Sequence, residues 1–529
     1  MGPKLEADSL STMADTEHPH VNPWIVAIAV MFATFMEVLD TTVVNVSLPH
    51  IAGNLSATID ESTWVLTSYL VANAIILPLT GWLARYFGRK RLLMASVSGF
   101  TIASLLCGLA INLPMLVIFR LIQGATGGAM QPLSQAVMLE AFPPAQRGKA
   151  MGFWGLGIVV APILGPVLGG WLTDSYSWRW VFYINLPVGI VSLVMTKLFI
   201  FDPPYMKTDT TRIDYWGIGL LAVGIGALQL LLDKGQEEDW FASDLMTALA
   251  AVAVVSLLVF LIHEWTTAEP VVDLRVFRIR TYSTGVFLMT TLGFVLYGSL
   301  VLLPILLQTL LGYPSLQAGM AMAPRGIGSF IGMPMVGLLI GRLDARKMVA
   351  TGLLIGGITL IWLGRLNLSA GYWDFFWPQF VQGFALSLLF VPLTTITMDP
   401  IPRERMGNAT SLFNLMRNIG GSIGIALTGT MLARQQQVHF VTLGTHVDPY
   451  NPVAQSMFDR LRGGFLASGS DPVTASDRAL AAMAGLVHRQ ASIVSFVEIF
   501  RLLGLMFLLL IPLVLLMKRP TGRGPAGAH

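Results

Sequence analysis

Long runs of apolar residues, separated by short polar segments, recur along most of the chain. A membrane-spanning helix needs roughly 20 apolar residues in succession. By that measure the pattern predicts about fourteen such helices. The predicted spans cover residues 24–48, 62–83, 92–110, 114–139, 148–172, 180–201, 215–232, 245–262, 283–307, 317–341, 348–363, 376–398, 406–432 and 492–517. The pattern therefore predicts an all-α polytopic membrane protein.

Lysine and arginine are distributed unequally between the loops. Cytoplasmic loops of membrane proteins carry an excess of these residues. The excess falls in alternate short loops, at 85–91, 147–149, 207–212, 275–280, 342–347 and 403–405. This arrangement predicts that both termini are cytoplasmic, with tails at 1–23 and 518–529.

One predicted outside segment, residues 435–490, is long and polar. It contains helix-like pieces at 452–461 and 477–488. It is either a solvent-exposed connecting segment or a docking surface for a partner outside the membrane, and the sequence favours neither.

The composition agrees with a membrane protein. Only 12% of the 529 residues are charged, whereas soluble domains carry about 25%. The net charge of +3 is too small to indicate nucleic acid binding. A single cysteine, Cys107, excludes intrachain disulfides and cysteine-rich metal sites. Histidines are not spaced as metal ligands within a span, so no metal site is expected.

Two carboxylates interrupt the first apolar run. Glu37 and Asp40 are three residues apart, so both side chains point to one face of the predicted helix. A charge at the centre of a bilayer costs on the order of 3 kcal/mol, and such residues usually face a polar pathway. Repulsion and desolvation both favour protonation. We therefore predict a proton-coupling site led by Asp40. The alternative is that one carboxylate is hydrogen-bonded and only structural.

Arg120 lies within the fourth predicted span. A buried cation needs a partner, and Asp40 or Glu37 provides the opposite charge in this half of the chain. A nearby arginine stabilises an ionised carboxylate, and its withdrawal favours protonation. The pair would therefore couple helix movement to proton transfer.

The two halves of the chain share short motifs. The matching segments are 81–91 with 337–347, 122–124 with 381–383, and 151–152 with 406–407. Each match jumps eight predicted spans, so the repeats share one orientation. Parallel repeats are the architecture of major-facilitator transporters. We predict two six-helix bundles, at 24–201 and 282–517, with two extra helices in the insertion at 202–281.

The fifth predicted span has a small residue at every fourth position. These residues are Gly157, Ala161, Gly165 and Gly169. They predict a flat face for close helix packing. Pro162 and Pro166 remove backbone hydrogen bonds and allow bending. The span is therefore predicted to act as a hinge or seal, with ordinary small-residue packing as the alternative.

A glycine-containing basic loop, residues 81–91, follows the second span. Gly81 and Gly88 permit a tight turn, and Arg89 belongs to a cluster that anchors the loop at the anionic inner leaflet. The loop is predicted to guard the cytoplasmic gate. The alternative is that it only sets the topology.

At these motifs the chain resembles the fourteen-span drug:proton antiporters of the major facilitator superfamily. Residues 39–49 resemble the first-helix signature, 120–124 the fourth-helix motif, and 161–170 the antiporter signature of exporters. Residues 178–189 also fit this subfamily. The loop departs from the pattern, because Arg85 stands where an acidic residue is usual. The gate ion pair made by that acid is therefore not expected here.

The resemblance extends from end to end to the inner-membrane subunits of Emr-type tripartite multidrug exporters. It implies a periplasmic adaptor and an outer-membrane channel as partners. It also implies that the arginine of the fourth-helix motif, Arg120, takes part in proton transfer.

We expect an inner-membrane, proton-coupled exporter of hydrophobic or amphipathic toxic compounds, driven by a proton gradient without a cofactor. The substrate-binding candidates are Asn45, Gln123, Asn414 and Arg417. A proton-coupled importer would share the fold, but the glycine- and proline-rich fifth span argues against it. A membrane enzyme or sensor would need a catalytic constellation or a soluble domain, and the sequence shows neither.

Overall fold

The computed structural model describes residues 22–143, 146–202, 213–267, 269–340, 342–448 and 450–517. The predicted tails, apart from residues 22 and 23, lie outside this range. So do Lys207 and Arg212 of the predicted basic loops.

Helices dominate the described residues. Those of twelve or more residues are α1 (Pro23–Asn54), α2 (Trp64–Phe87), α3 (Arg89–Leu109), α4 (Leu113–Gly127), α5 (Met130–Ala141), α6 (Arg147–Ser175), α7 (Asn185–Phe199), α8 (Tyr215–Lys234), α9 (Asp244–Thr266), α10 (Arg280–Ile305), α11 (Ser315–Leu339), α12 (Ala345–Leu363), α13 (Tyr372–Met398), α14 (Met406–Gly444), α15 (Pro452–Ala467) and α16 (Pro472–Leu509). Short helical pieces cover Ile59–Ser62, Trp180–Tyr183, Trp240–Ala242, Leu274–Arg278, Leu306–Leu310, Arg403–Arg405 and Ile511–Leu516.

Twelve helical stretches within the described ranges are long and apolar enough to cross a membrane. They match all the predicted spans except the tenth and the thirteenth. Those two are also long helices, α11 and α14, and both pack inside the bundle. Buried polar residues such as Arg325, Asn414 and Arg417 reduce their apolar character. The prediction of an all-α polytopic membrane protein is confirmed.

The fourth predicted span is interrupted. α4 ends at Gly127, and α5 begins at Met130. A Cβ on Gly128 would lie 2.7 Å from the backbone oxygen of Asn73 in α2. The break therefore falls where α2 approaches too closely for any side chain.

Most of the predicted outside segment at residues 435–490 is helical, and its helices are longer than the helix-like pieces that the sequence indicates. α14 has 39 residues and is about 58 Å long, so it extends well beyond a hydrocarbon core of about 30 Å. α15 and α16 follow, and the side chains of Asn451 and Asp471 cap them. A capping residue followed by proline favours a helix start, so the two helix-like pieces of the prediction are confirmed as parts of longer helices.

Helix packing repeats between the two halves of the chain. α6 packs along α1, and α14 packs along α10 in the same way. α4 crosses α2 closely, and α13 crosses α11. The inserted helix α8 lies against α2 and α14, while α9 packs mainly on α8. The exact limits of the two bundles, at 24–201 and 282–517, remain a prediction.

Candidate functional site

Asp40 and Arg120 form an ion pair in the first half of the chain. Nη1 of Arg120, on α4, donates to Oδ2 of Asp40, on α1, over 2.6 Å. Both side chains are completely buried. A buried ion pair is costly unless further hydrogen bonds satisfy its polar atoms. The other oxygen of the carboxylate meets this condition. Oδ1 accepts from the Gln123 amide at 3.0 Å and from the Asn185 amide at 2.7 Å.

Arg120 is also attached to α2. Its Nε donates to the backbone oxygen of Val65 at 3.0 Å, and its guanidinium carbon lies 4.2 Å from the centre of the Tyr69 ring. Nη1 also donates to Gln123 at 2.8 Å. The cation therefore has contacts on α2 that do not depend on the charge of Asp40.

Asn185 extends the network to α3. Its amide donates to Ser104 Oγ at 3.0 Å, and that hydroxyl donates to the backbone oxygen of Phe182 at 2.8 Å. Sequence reasoning noted the segment 178–189 but assigned Asn185 no role. The sequence feature that could have identified Asn185 is that it is a single amide side chain inside an apolar predicted span.

Glu37 lies outside the Asp40 network. Its Oε1 accepts from the Asn73 amide at 3.0 Å, and its Oε2 has no hydrogen-bond partner in the described part of the chain. The sequence left Asp40 and Glu37 as alternative partners of Arg120, and the geometry pairs Arg120 with Asp40. The two carboxylates of α1 therefore have different surroundings, although they are one helical turn apart.

A second polar cluster joins the two halves of the chain. Arg417 Nη2, on α14, donates to Gln131 Oε1, on α5, at 2.6 Å. The Asn414 amide donates to Gln135 Oε1 at 2.5 Å. Glu37 is within electrostatic reach of Arg417, but the two do not form a direct ion pair. This inter-half cluster contains Glu37, Asn73, Gln131, Gln135, Asn414 and Arg417.

The four predicted substrate-binding residues do not lie together. Asn414 and Arg417 belong to the inter-half cluster, whereas Gln123 belongs to the Asp40 network. Asn45 is exposed on α1 and is not part of either. Sequence reasoning did not identify Gln131 and Gln135, whose four-residue spacing places both on one face of a helix.

The small-residue face of α6 lies against α1, the helix that carries both carboxylates. A Cβ on Gly169 would lie 2.5 Å from the backbone oxygen of Val43, and one on Gly165 would meet Thr42. Gly157 approaches Met31, and Ala161 is fully buried. Pro162 is partly exposed and Pro166 is exposed, so neither is on the tightest part of this face.

The 81–91 segment is not a loop, because residues 81–87 belong to α2 and residues 89–91 to α3. The tight turn is made by Gly88 alone, and Gly81 lies within α2. The segment brings helices from both halves together. Gly81 packs against the start of α14 so closely that a Cβ would lie 2.7 Å from Asn408 Cα. Gly88 has φ +83°, a conformation that favours glycine, and it separates α2 from α3. Arg89 is buried and forms an ion pair with Glu140 at the end of α5.

Arg85 does not take part in a gate ion pair among the described residues. It is exposed at the edge of a cavity of about 350 Å³, which also involves Glu269, Asp273 and Glu404. The closest contact here joins Asp273, in the insertion at 202–281, to α14. The Asn408 amide donates to the Asp273 backbone oxygen at 2.9 Å, and its oxygen accepts from the Asp273 N–H at 3.1 Å.

The amino-acid sequence is similar to a known family and to curated transport and resistance proteins. The family model described as "Major Facilitator Superfamily" matches residues 30–425. The chain is 41% identical over 510 residues to "Multidrug export protein EmrB" of Escherichia coli, covering 96% of this chain and 98% of the relative. It is 39% identical to "Fatty acid resistance protein FarB" of Neisseria gonorrhoeae, covering 95% and 96%. It is 30% identical to "Colistin resistance protein EmrB" of Acinetobacter baumannii, covering 96% and 98%.

Solved structures share the fold. The human organic anion transporter MFSD10 (TETRAN) has a TM-score of 0.60 at 13% identity, over 93% of this chain and 100% of that chain. The proton:xylose symporter XylE has a TM-score of 0.56 at 16% identity, over 79% and 90%.

Proposed function

Because this chain belongs to the Major Facilitator Superfamily, we propose that it is a proton-coupled antiporter that exports hydrophobic or amphipathic toxic compounds. The family and the full-length relatives indicate a multi-pass inner-membrane transporter for drug efflux rather than an enzyme. Proton coupling, the direction of transport and the cytoplasmic position of both termini are parts of the proposal.

The observation that carries the proton coupling is the buried Asp40–Arg120 pair. A proton from the outside would neutralise Asp40 and remove its attraction for Arg120. Arg120 would stay with α2 through Val65 and Tyr69. Protonation would therefore loosen α1 from α4 and leave α4 attached to α2. An inside-negative potential adds roughly 2.3 kcal/mol per charge per 100 mV to the inward movement of the proton.

Movement of α1 would be transmitted to α6. The two helices touch along the small-residue face, where Gly165 and Gly169 leave no space for independent sliding. Pro162 and Pro166 lower the cost of bending α6. The proposed hinge therefore lies next to the proposed proton site.

We propose the inter-half cluster as the polar part of the substrate pathway. It offers a carboxylate, a guanidinium and four amides with donors and acceptors at one place. Glu37 and Arg417 present opposite charges without neutralising each other in direct contact. The cluster therefore suits amphipathic compounds of either charge.

The proposal predicts charge-selective defects. Glu37→Gln should weaken transport of cationic compounds more than that of anionic ones, because it removes only the negative charge. Arg417→Gln should have the opposite selectivity. Competition between a cationic and an anionic dye in vesicles measures both effects. Equal loss for the two dyes in both variants would contradict the assignment of the cluster to substrate binding.

Transport in proteoliposomes tests the antiport mechanism. A lipophilic dye should accumulate in vesicles containing the natural chain when the interior is acidic, and a protonophore should abolish the effect. A proton-coupled importer would instead accumulate the dye when the interior is alkaline. This distinction does not depend on how the protein is oriented in the vesicle. A membrane sensor would move no dye under either gradient.

We also propose assembly with a periplasmic adaptor and an outer-membrane channel. The outer parts of α14 and α16, together with α15, form a helical projection beyond the membrane. It exposes apolar side chains, including Tyr450, Val453 and Val473. Exposed apolar surface of this kind is typical of protein interfaces. Co-purification of an adaptor that is lost on changing Val453 and Val473 to Asp would support the assembly. Unchanged co-purification would contradict the use of this surface.

A further inference from the structure

A buried arginine in the second half of the chain has no acidic partner. Arg325, on α11, is only 6% exposed. Within the described ranges, its side chain has one hydrogen bond, from Nη2 to Ser299 Oγ at 3.4 Å, and no ion pair. Its Nε is buried without a partner. Arginine stays protonated in proteins, and an isolated buried charge is unfavourable unless it is compensated.

The surrounding helices cannot provide the missing negative charge. The sequences of α10, α11, α12 and α14 contain no aspartate or glutamate. α13 has Asp374, which is exposed in the first turn and accepts from the Gly371 N–H. Glu498, on α16, is hydrogen-bonded to His439 at 2.9 Å.

The internal repeat shows how this arrangement differs from the first half. A Cβ on Gly124 would lie 2.3 Å from the backbone oxygen of Tyr69, and one on Gly383 would lie 1.9 Å from that of Arg325. Arg325 therefore occupies the position of Tyr69, and Gln382 occupies that of Gln123. In the first half the cation is on α4 and pairs with Asp40. In the second half the cation, Arg325, is on α11, the helix that corresponds to α2, and it forms no ion pair with a carboxylate among the described residues.

A small cavity lies beside Arg325. Its volume is about 10 Å³, and its lining includes Arg325, Gln382, Val295, Gly356 and Phe507. That volume accommodates about one water-sized group. Oε1 of Gln382 is a buried acceptor without a hydrogen-bond partner, so rotation of the amide by 180° breaks no bond through that atom and would bring its NH₂ donors to the same place. The cavity lies among helices of the second half, away from the inter-half cluster.

We propose that this cavity binds one small monovalent anion, chloride being the probe of choice. Arg325 would supply the compensating charge and a donor through Nε, which has no other partner, and the Gln382 amide would supply a second donor by turning its NH₂ group toward the cavity. The Ser299 hydroxyl is not a donor to this site, because it donates to the Leu296 backbone oxygen at 3.0 Å. The apolar lining excludes bulk water, which strengthens the attraction between the anion and the guanidinium. The cavity is too small for a carboxylate or phosphate carried on a larger molecule. The stability of the second half would then depend on chloride, independently of the proton site.

Unfolding of the purified full-length chain tests this site. The unfolding temperature should be higher in sodium chloride than in sodium gluconate at equal ionic strength, because binding to the folded state alone is stabilising. Radioactive chloride should bind at one ion per chain. Arg325→Gln should abolish both effects. Arg365→Gln is the matched control, because Arg365 is exposed and its loss should preserve both.

Ser299→Asp provides a second test that does not remove the arginine. Its carboxylate would stand beside Arg325 and replace the anion, so unfolding should become insensitive to chloride and chloride binding should be lost. Equal unfolding temperatures of the natural chain in the two salts, with no bound chloride, would overturn the proposal. So would a chloride response that persists in Ser299→Asp.

Discussion

Asp40→Asn is expected to reduce dye accumulation driven by a pH gradient to the level of protein-free vesicles. Asparagine has nearly the same shape as aspartate, and its oxygen can still accept from Arg120. It cannot take up and release a proton at this position. The proton would therefore lose its site in the buried network formed with Arg120, Gln123 and Asn185. Fluorescence of an accumulated dye under an imposed gradient measures the effect.

Two controls distinguish loss of proton coupling from loss of correctly folded protein. Dye exchange without a gradient should continue in Asp40→Asn, because the inter-half cluster remains intact. Glu37→Gln should retain gradient-driven transport of an uncharged dye, because Glu37 is not bonded to Arg120. Normal gradient dependence in Asp40→Asn would assign the proton to another group. Loss of coupling in Glu37→Gln alone would assign it to Glu37.

Arg120→Ala is expected to destabilise the chain by about 3–5 kcal/mol, the typical cost of leaving one member of a buried ion pair without its partner. The substitution also removes the bond to Val65 and the contact with the Tyr69 ring. Denaturant-induced unfolding in detergent checks this expectation.

A double-mutant cycle isolates the interaction between the two charges. The matched variants are Asp40→Asn, Arg120→Gln and the two combined. The combined variant should lose less stability than the sum of the single changes, because neither charge is left alone. Additive losses would show that the ion pair contributes little. Gradient-driven transport that survives in Arg120→Ala would remove Arg120 from the proposed proton mechanism.

The sequence by itself determined that the chain is a polytopic helical membrane protein. The length of an apolar run is a local property, so it can be read without knowing which helices touch. The two carboxylates in α1 and the arginine in α4 were identified in the same way, because a charge inside an apolar run is unusual wherever the helix packs. The starts of α15 and α16 also had a local signal, a capping residue followed by proline.

Only the tertiary structure decided which of these groups meet. Glu37 and Asp40 are one turn apart, and a small rotation of α1 determines which of them faces Arg120, 80 residues away in the chain. Gln123 is predicted from the sequence to bind substrate, but helix packing places its amide against Asp40. Asn185 and Gln131 acquired partners only through contacts between distant helices.

The contrast between Arg120 and Arg325 gives the physical reason. Both are buried arginines inside helices of related repeats, although the two helices are not equivalent in the repeat. Their electrostatic surroundings depend on which side chains neighbouring helices bring within a few ångströms. Helix periodicity specifies the side chains on one face, but packing between helices specifies what that face meets. The sequence therefore determined the helices and the unusual charges, whereas the tertiary structure decided that one cation has a carboxylate and the other does not.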